Sequence, residues 1–155
     1  MDATLRQNRV RNRRLPVGGH FQGNNDLDNL QGRRILALEE HIPVADFLSD
    51  MLVGFGCEVL GPVQRISDAL DLIRGNAVDA AIVDVAIKGE VTFAVADELS
   101  RRKIPYAFTS GNKTPESILK YARAPIITKP YSADYIYRVL GDLIASGQSP
   151  GDGAG

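Results

Sequence analysis

Residues 79–84 read Asp-Ala-Ala-Ile-Val-Asp, and the rest of the chain is organised around this short stretch. Its four apolar residues follow one another without polar alternation, which is typical of a strand buried on both faces in a parallel sheet covered by helices. Asp84 ends the run and would lie at the carboxyl end of the strand, where open α/β sheets place their chemistry. Taken alone, the segment favours a turn aspartate after a core strand, so the rest of the chain must decide.

A short apolar strand, a loop and an amphipathic helix recur in this order along the middle of the chain. The predicted strands are residues 34–38, 57–60, 79–84, 105–109 and 125–128. The predicted helices cover residues 42–55, 67–74, 92–102 and 114–121, and the last begins after Ser132. Crossover helices of this length predict a parallel sheet with helices on both faces. We therefore expect an α/β fold, a flavodoxin-like doubly wound sheet of five parallel strands in the order 2-1-3-4-5 with five helices.

Composition limits the classes of function. A chain of 155 residues has room for one domain with a proper core, and 44% hydrophobic and 24% charged residues are ordinary for a soluble protein. The net charge of −1 favours no particular partner. A single cysteine, Cys57, excludes an internal disulfide framework and a multi-cysteine metal site, and we expect it to be a small core residue. No apolar run approaches the roughly 20 residues of a membrane span, and the N-terminus lacks the apolar part of a secretory signal, so a cytoplasmic protein is expected.

The two ends of the chain differ from the middle. Residues 1–32 are predicted to form a flexible basic N-terminal arm and residues 146–155 a flexible C-terminal tail, on either side of a folded domain of residues 33–145. The first 14 residues hold five arginines and one acid, Asp2. These arginines could contact nucleic acid or acidic lipid, but without interleaved aromatic residues a solvated tail is favoured, and a nucleic-acid partner is not expected.

Reactive side chains follow four of the five predicted strands. They are Glu39 and Glu40 after the first strand, Asp84 at the end of the third, Ser110 after the fourth and Lys129 after the fifth. Because the carboxyl ends of parallel strands meet at one edge of the sheet, we expect these side chains to converge. Each has an ordinary structural explanation alone, but their joint occurrence favours a site.

The residue types at this edge indicate a divalent cation beside a nucleophile. Crowded carboxylates repel one another unless a cation neutralises them, and oxygen-only ligands favour Mg²⁺ over zinc or copper. The cation would polarise a phosphoryl group, so that an oxygen of Asp84 can attack it and form an acyl phosphate. Lys129 supplies a second positive charge for the phosphoryl oxygens, and Ser110 can donate a hydrogen bond to one of them.

As a set, these residues resemble the motif of the receiver domains of two-component response regulators. They occur in family order, as the acidic pair, the phosphoacceptor Asp84, the hydroxyl residue Ser110 and the dipeptide Lys129-Pro130. The resemblance covers about residues 33–145. Residues 82–90, Ile-Val-Asp-Val-Ala-Ile-Lys-Gly-Glu, and residues 104–111, Ile-Pro-Tyr-Ala-Phe-Thr-Ser-Gly, are further similar to stand-alone receivers of alphaproteobacteria.

The resemblance implies a phosphoprotein of a phosphorelay rather than an enzyme. A sensor histidine kinase or a histidine phosphotransfer protein would transfer a phosphoryl group to Asp84, with Mg²⁺ held by Glu39, Glu40, Asp84 and the backbone carbonyl of Ala86. In the family, the phosphoryl group draws the hydroxyl residue, here Ser110, inward and shifts the surface of the fourth helix, fifth strand and fifth helix. With no output domain following in this sequence, the expected output is the binding of that surface to a protein partner, and a homodimer through the same face stays open.

Three positions depart from the family pattern. The second acid, Glu40, is usually aspartate, and its extra methylene displaces a carboxylate for which Mg²⁺ demands short, near-octahedral bonds. Ile126 replaces an aromatic residue of the fifth strand, so the usual rotation of that ring cannot report phosphorylation. Lys88 stands where a proline often occurs, and we expect it to face solvent. The alternative function is therefore a pseudo-receiver, a phosphorylation-independent module for protein interaction.

Overall fold

The computed structural model describes residues 29–111, 114–121 and 123–146. Most of the predicted arm, residues 1–28, and all but the first residue of the predicted tail lie outside the described residues. Leu30 is fully buried in the core, and the Gly32 N–H donates a hydrogen bond to Gly56 O at 2.8 Å. Residues 29–32, which the sequence pattern assigned to the arm, therefore pack against the folded domain.

The strands of the described residues separate into a sheet and a hairpin. The strands are β1 (Arg34–Leu38), β2 (Glu58–Val63), β3 (Ala80–Asp84), β4 (Ala86–Ile87), β5 (Glu90–Val91), β6 (Tyr106–Ser110) and β7 (Ile126–Thr128). Five of them form a parallel sheet in the order β2-β1-β3-β6-β7, while β4 and β5 pair with each other. Numbered among themselves, the sheet strands have the order 2-1-3-4-5, which confirms the predicted flavodoxin-like sheet.

Four α-helices cover the sheet in the part of the chain that is described. They are α1 (Ile42–Gly54), α2 (Ile66–Gly75), α3 (Phe93–Arg101) and α4 (Ala133–Ser146). Among the residues described, no helix has both the length and the apolarity needed to cross a membrane.

The prediction that residues 114–121 form an α-helix, the fourth of five, is wrong. Residues Glu116–Tyr121 form a 3₁₀ helix instead, and the Ile118 N–H donates to Pro115 O at 3.0 Å, a bond between residues three apart. This segment lies between Pro115 and Pro125, and so short a stretch gives few α-helical bonds for the cost of nucleation. In a 3₁₀ helix the hydrogen bonds join residues three apart, so the backbone groups of a short segment can be paired within one or two turns.

Two apolar clusters lie on opposite faces of the sheet. In β1, Ile35 and Ala37 belong to the cluster that contains residues of α1 and α4, whereas Leu36 and Leu38 belong to the one with residues of α2 and α3. This alternation explains why the strands read as continuous apolar runs, because both faces are covered. Cys57 is buried in the first cluster, as predicted.

The second strand continues past its predicted end. The sequence predicts a stop at Gly61-Pro62, but β2 extends to Val63. Proline is tolerated because β2 is an edge strand. Gly61 has a φ of 102°, and a Cβ there would lie 2.7 Å from Val63 N, so this position requires glycine.

Candidate functional site

The predicted site residues lie at the carboxyl edge of the sheet. Glu39 directly follows β1, Asp84 ends β3, Ser110 ends β6 and Lys129 directly follows β7. These four strands are consecutive neighbours and run parallel, so their carboxyl ends meet. Glu39, Asp84 and Ser110 are 1%, 6% and 1% exposed, and polar groups buried to this degree need partners.

Lys129 joins carboxylates from two different strands. Its Nζ lies 2.8 Å from Glu39 Oε1 and 3.0 Å from Asp84 Oδ2. Its backbone N–H donates to Ser110 O at 2.8 Å, which anchors the lysine beside the end of β6. Burial alone would lower the pKa of Lys129, but the hydrogen bonds and charges of the two carboxylates raise it, and the net direction is upward. The ammonium therefore stays charged at neutral pH.

Asp84 carries its charge in an unfavourable environment. Burial is the largest cause that raises the pKa of Asp84, and the charge of Glu39 raises it further, whereas the hydrogen bond from Lys129 lowers it. A longer contact comes from the Ala86 N–H, which donates to Asp84 Oδ1 at 3.4 Å. Two carboxylates share one ammonium, so the site keeps an excess of negative charge that favours a further cation.

The segment after Asp84, which the sequence pattern leaves as a loop before the third helix, contains a hairpin. Strands β4 and β5 pair antiparallel, with Ala86 opposite Val91. The turn residues Lys88 and Gly89 both have positive φ, 50° and 81°, as a two-residue type I′ turn requires. The side chain of Lys88 is exposed, as predicted.

Thr92 supports the site and was not identified from the sequence. Its Oγ1 lies 2.8 Å from Asp84 O and 3.2 Å from Val85 O, and its N–H donates to Val85 O at 3.0 Å. The residue is fully buried. These contacts close the hairpin and fix the backbone of Asp84. The only signal in the sequence is a threonine immediately before a helix, which is also the pattern of an ordinary helix start.

Glu40 does not join the carboxylate pair. Its Oε1 accepts a hydrogen bond from the Lys88 N–H at 3.0 Å, on the exposed side of the hairpin. Within residues 29–111, 114–121 and 123–146, no three His, Cys, Asp or Glu side chains are grouped to hold a metal ion. Glu39 and Asp84 suit Mg²⁺ in kind, because both offer oxygen. Glu40 would have to release the Lys88 N–H to complete the predicted set of three carboxylates.

Ser110 connects the site edge to the 3₁₀ helix. Its Oγ lies 2.8 Å from Thr114 Oγ1, and either hydroxyl can be the donor. At the other end of that helix, the Tyr121 hydroxyl donates to Asp97 Oδ1, and the Tyr121 ring stacks on Phe93 with 5.8 Å between ring centroids. A series of contacts therefore leads from Ser110 to α3.

The chain resembles known proteins in structure but not closely in sequence. No family model matches the chain, and no curated protein matches it. SdrG from Sphingomonas melonis Fr1 is 26% identical, with a TM-score of 0.64 over 74% of this chain and 98% of that one. The signal receiver domain of a modulated diguanylate cyclase from Desulfovibrio desulfuricans G20 is 22% identical, with a TM-score of 0.68 over 76% of this chain and 97% of that one. The non-phosphorylated HemR receiver domain from Leptospira biflexa is 23% identical, with a TM-score of 0.63 over 73% and 94%.

One matching structure is much longer than this chain. NtrX from Brucella abortus is 22% identical with a TM-score of 0.65, and the match covers 76% of this chain but only 27% of that one. The chain thus spans about a quarter of the length of NtrX. What these likenesses share is an architecture: this protein has the fold of response-regulator receiver domains.

Proposed function

We propose that this protein is a response regulator of a two-component system that accepts a phosphoryl group on Asp84. The observation that carries the proposal is the Lys129 ammonium, which contacts Glu39 at 2.8 Å and Asp84 at 3.0 Å at the carboxyl edge of the sheet. An ammonium that already touches the acceptor carboxylate is placed to pair with the oxygens of a group attached to it. A fold by itself does not determine function, and it is these contacts of Lys129 that support this one.

The proposed reaction is a phosphoryl transfer in which the protein is acceptor rather than turnover enzyme. An oxygen of Asp84 attacks phosphorus and forms an O–P bond, while the P–N bond to a histidine of a sensor kinase or phosphotransfer protein breaks. The leaving imidazole keeps the electron pair and takes up a proton. Lys129 then pairs with one phosphoryl oxygen, and the Ser110 hydroxyl donates to another after leaving Thr114.

Glu39, Glu40, Asp84 and the backbone carbonyl of Ala86 are the proposed ligands of Mg²⁺. When bound, the ion would neutralise negative charge on the phosphoryl group and on the carboxylates. Glu39 and Asp84 already share one ammonium. Glu40 is bonded to the Lys88 N–H instead, so its release from the hairpin is the rearrangement that this chain must make to hold the ion with three carboxylates.

The proposed output surface is the face formed by the 3₁₀ helix, β7 and α4, acting on a protein partner in the cytoplasm. Phosphorylation replaces the Asp84 carboxylate with an acyl phosphate that carries about two negative charges and three acceptor oxygens. The contact between Ser110 and Thr114 leads from that site to the 3₁₀ helix. Ile126 on β7 and Tyr135 on α4 are 37% and 43% exposed. Large exposed side chains of this kind are suited to burial in a protein interface. The same face could instead bind a second copy of this chain and form a homodimer.

Intact mass spectrometry tests the proposal directly. Incubation with acetyl phosphate and Mg²⁺ should add the mass of one phosphoryl group, about 80 Da. Asp84→Asn should abolish the gain, while Asp71→Asn, at an exposed position of α2, should retain it. An unchanged mass for the wild-type protein, or the same gain in Asp84→Asn, would contradict the assignment.

The hydrogen bond between Glu40 and the Lys88 N–H favours a second candidate, the pseudo-receiver. If Glu40 serves only to hold the hairpin, the fold would act as a constitutive module for protein interaction. That function predicts no Mg²⁺-dependent change in the amide NMR shifts near Asp84. A saturable change in those shifts would count against it.

A further inference from the structure

Tyr131 follows Lys129 by two residues and has a buried hydroxyl without a partner. The side chain is 9% exposed and packs in the apolar cluster that contains residues of α1 and α4. Its hydroxyl is buried, and no hydrogen-bond partner for it is found among the described residues. Phenylalanine would fill the same space without this unfavourable group. The hydroxyl therefore needs an explanation beyond packing.

Tyr131 lies two residues beyond Lys129, whose ammonium meets the Glu39 carboxylate at 2.8 Å. Burial is the main cause that raises the pKa of Tyr131, and the charges of Glu39 and Asp84 raise it further, so the hydroxyl remains a neutral donor at physiological pH. Glu39 Oε1 meets the Lys129 ammonium at 2.8 Å, and the described residues supply no other donor to it. Glu39 is also almost completely buried. Glu39 Oε2 accepts a hydrogen bond from the His41 N–H at 3.0 Å, so loss of Lys129 would leave Oε1 as the buried carboxylate oxygen without a protein donor, which is unfavourable.

We propose that Tyr131 is a positioning residue of the site: its hydroxyl donates a hydrogen bond to the Glu39 carboxylate when the Lys129 ammonium moves toward a phosphoryl group on Asp84. The inference rests on the proposed phosphorylation of Asp84 and extends it to a residue outside the predicted set. In the unphosphorylated protein, Lys129 satisfies Glu39 and the hydroxyl has no partner. In the phosphorylated protein, Lys129 is shared with additional oxygens, and Tyr131 takes over part of its contact with Glu39.

A double-mutant cycle tests the bond without phosphorylation, because Lys129→Met also removes the ammonium from Glu39. The unfolding equilibrium constant is measured by urea denaturation for the wild type, Tyr131→Phe, Lys129→Met and the double variant. In the wild-type background, Tyr131→Phe should lower the constant about fivefold, since an unpaired buried hydroxyl is removed. In the Lys129→Met background, Tyr131→Phe should raise it about tenfold, since a hydrogen bond to a carboxylate is lost.

The sign of the effect separates this role from simple packing. A hydroxyl that acts only within the core would change the constant by the same factor in both backgrounds, and that result would overturn the proposal. Tyr135→Phe is the matched control, because the Tyr135 side chain is 43% exposed on α4. It should change the constant less than about twofold in either background.

Phosphoryl uptake supplies a second measurement, which also serves if Lys129→Met does not fold. With acetyl phosphate and Mg²⁺, the initial rate of mass gain should be about tenfold lower in Tyr131→Phe than in the wild type, because Lys129 stays bound to Glu39. Equal rates would overturn the inference and leave the proposed function intact. A wild type that gains no mass would instead refute the proposed function, and the denaturation cycle would still decide whether Tyr131 replaces Lys129 at Glu39.

Discussion

The two ends of the sheet both carry ion pairs, but the pairs are buried to different degrees. At the carboxyl end, Lys129 contacts the side chains of Glu39 and Asp84, which are 1% and 9% exposed. At the amino end, Arg33 Nη1 lies 3.8 Å from Asp79 Oδ1, and these side chains are 40% and 36% exposed. Water screens the exposed pair of Arg33 and Asp79, which therefore contributes little to the free energy of unfolding. At the buried end, removal of Lys129 would leave buried carboxylates without their cation.

Asp79 and Asp84 show what this difference means for one strand. Asp79 immediately precedes β3 and Asp84 ends it. Asp79 Oδ2 accepts a hydrogen bond from the Arg34 N–H at 2.8 Å, so its carboxylate joins two chain segments at the amino end. Asp84 instead meets a side-chain ammonium, Lys129 Nζ, at 3.0 Å. The residue type is the same, but only at the carboxyl end is the aspartate buried and in contact with a side-chain ammonium.

Lys129→Met should produce the largest effect, because its two ion pairs are buried. It leaves two carboxylates facing each other without their cation, so we expect a loss of about 3–5 kcal/mol in the free energy of unfolding at neutral pH. The loss should shrink in acid, where the carboxylates can take up protons. Urea denaturation at several pH values measures both effects.

Lys120→Met is the matched control for the loss of a lysine charge. Lys120 is exposed, and its Nζ lies 4.6 Å from the centroid of the Phe93 ring. Removing it should cost at most about 1 kcal/mol. Similar losses in the two variants would contradict the view that burial distinguishes the site.

Asp84→Asn should stabilise the folded protein, because burial disfavours the charged carboxylate at this position. The folded state raises the pKa of Asp84 above its ordinary value of 3.8, mainly through burial. The folded protein therefore binds this proton more tightly than the unfolded chain, and the free energy of unfolding falls as pH rises through the folded pKa. Asparagine carries no charge and so removes this pH-dependent loss of stability. At neutral pH we therefore expect the free energy of unfolding to increase by about 0.5–2 kcal/mol, the usual size of a stabilising substitution.

The pH dependence is the discriminating part of this experiment. The difference between Asp84→Asn and the wild type should be small in acid below the ordinary pKa and should grow as pH rises through the folded pKa of Asp84. Asp71→Asn, at an exposed position of α2, should show no such growth. Stability curves for Asp84→Asn and wild type that stay parallel with pH would refute the electrostatic explanation.

The sequence predicted the sheet and the edge where the site lies, because both depend on local patterns. Continuous apolar runs such as that of β3 identify buried parallel strands, and parallel connectivity alone brings Asp84 and Lys129 to one edge. The proximity of Lys129 to the two carboxylates is consistent with that expectation. Which group binds Mg²⁺ and which residue accepts a phosphoryl group stay predictions.

The details that the sequence did not predict depend on contacts between distant segments. The bond from the Lys88 N–H to Glu40 joins residues 48 positions apart, and no local pattern reports it. Thr92 has the sequence context of a helix start but holds the backbone of Asp84. The buried, unpaired hydroxyl of Tyr131 is visible only after the core is assembled. Local periodicity thus determines where strand ends lie, whereas tertiary packing determines what each side chain contacts there.

Arg33→Ala should have the smallest effect and tests the exposed end of the comparison. Its ion pair with Asp79 is long and solvated, so removal should cost less than about 1 kcal/mol in the free energy of unfolding. Part of that loss should come from the hydrogen bond that Arg33 Nε donates to Asn29 O at 2.7 Å, which salt does not screen. Urea denaturation at low and high salt separates the two contributions, because only the ion pair weakens as the Debye length shortens. A loss as large as that of Lys129→Met, unchanged by salt, would mean that exposed and buried pairs in this fold do not differ as their burial predicts.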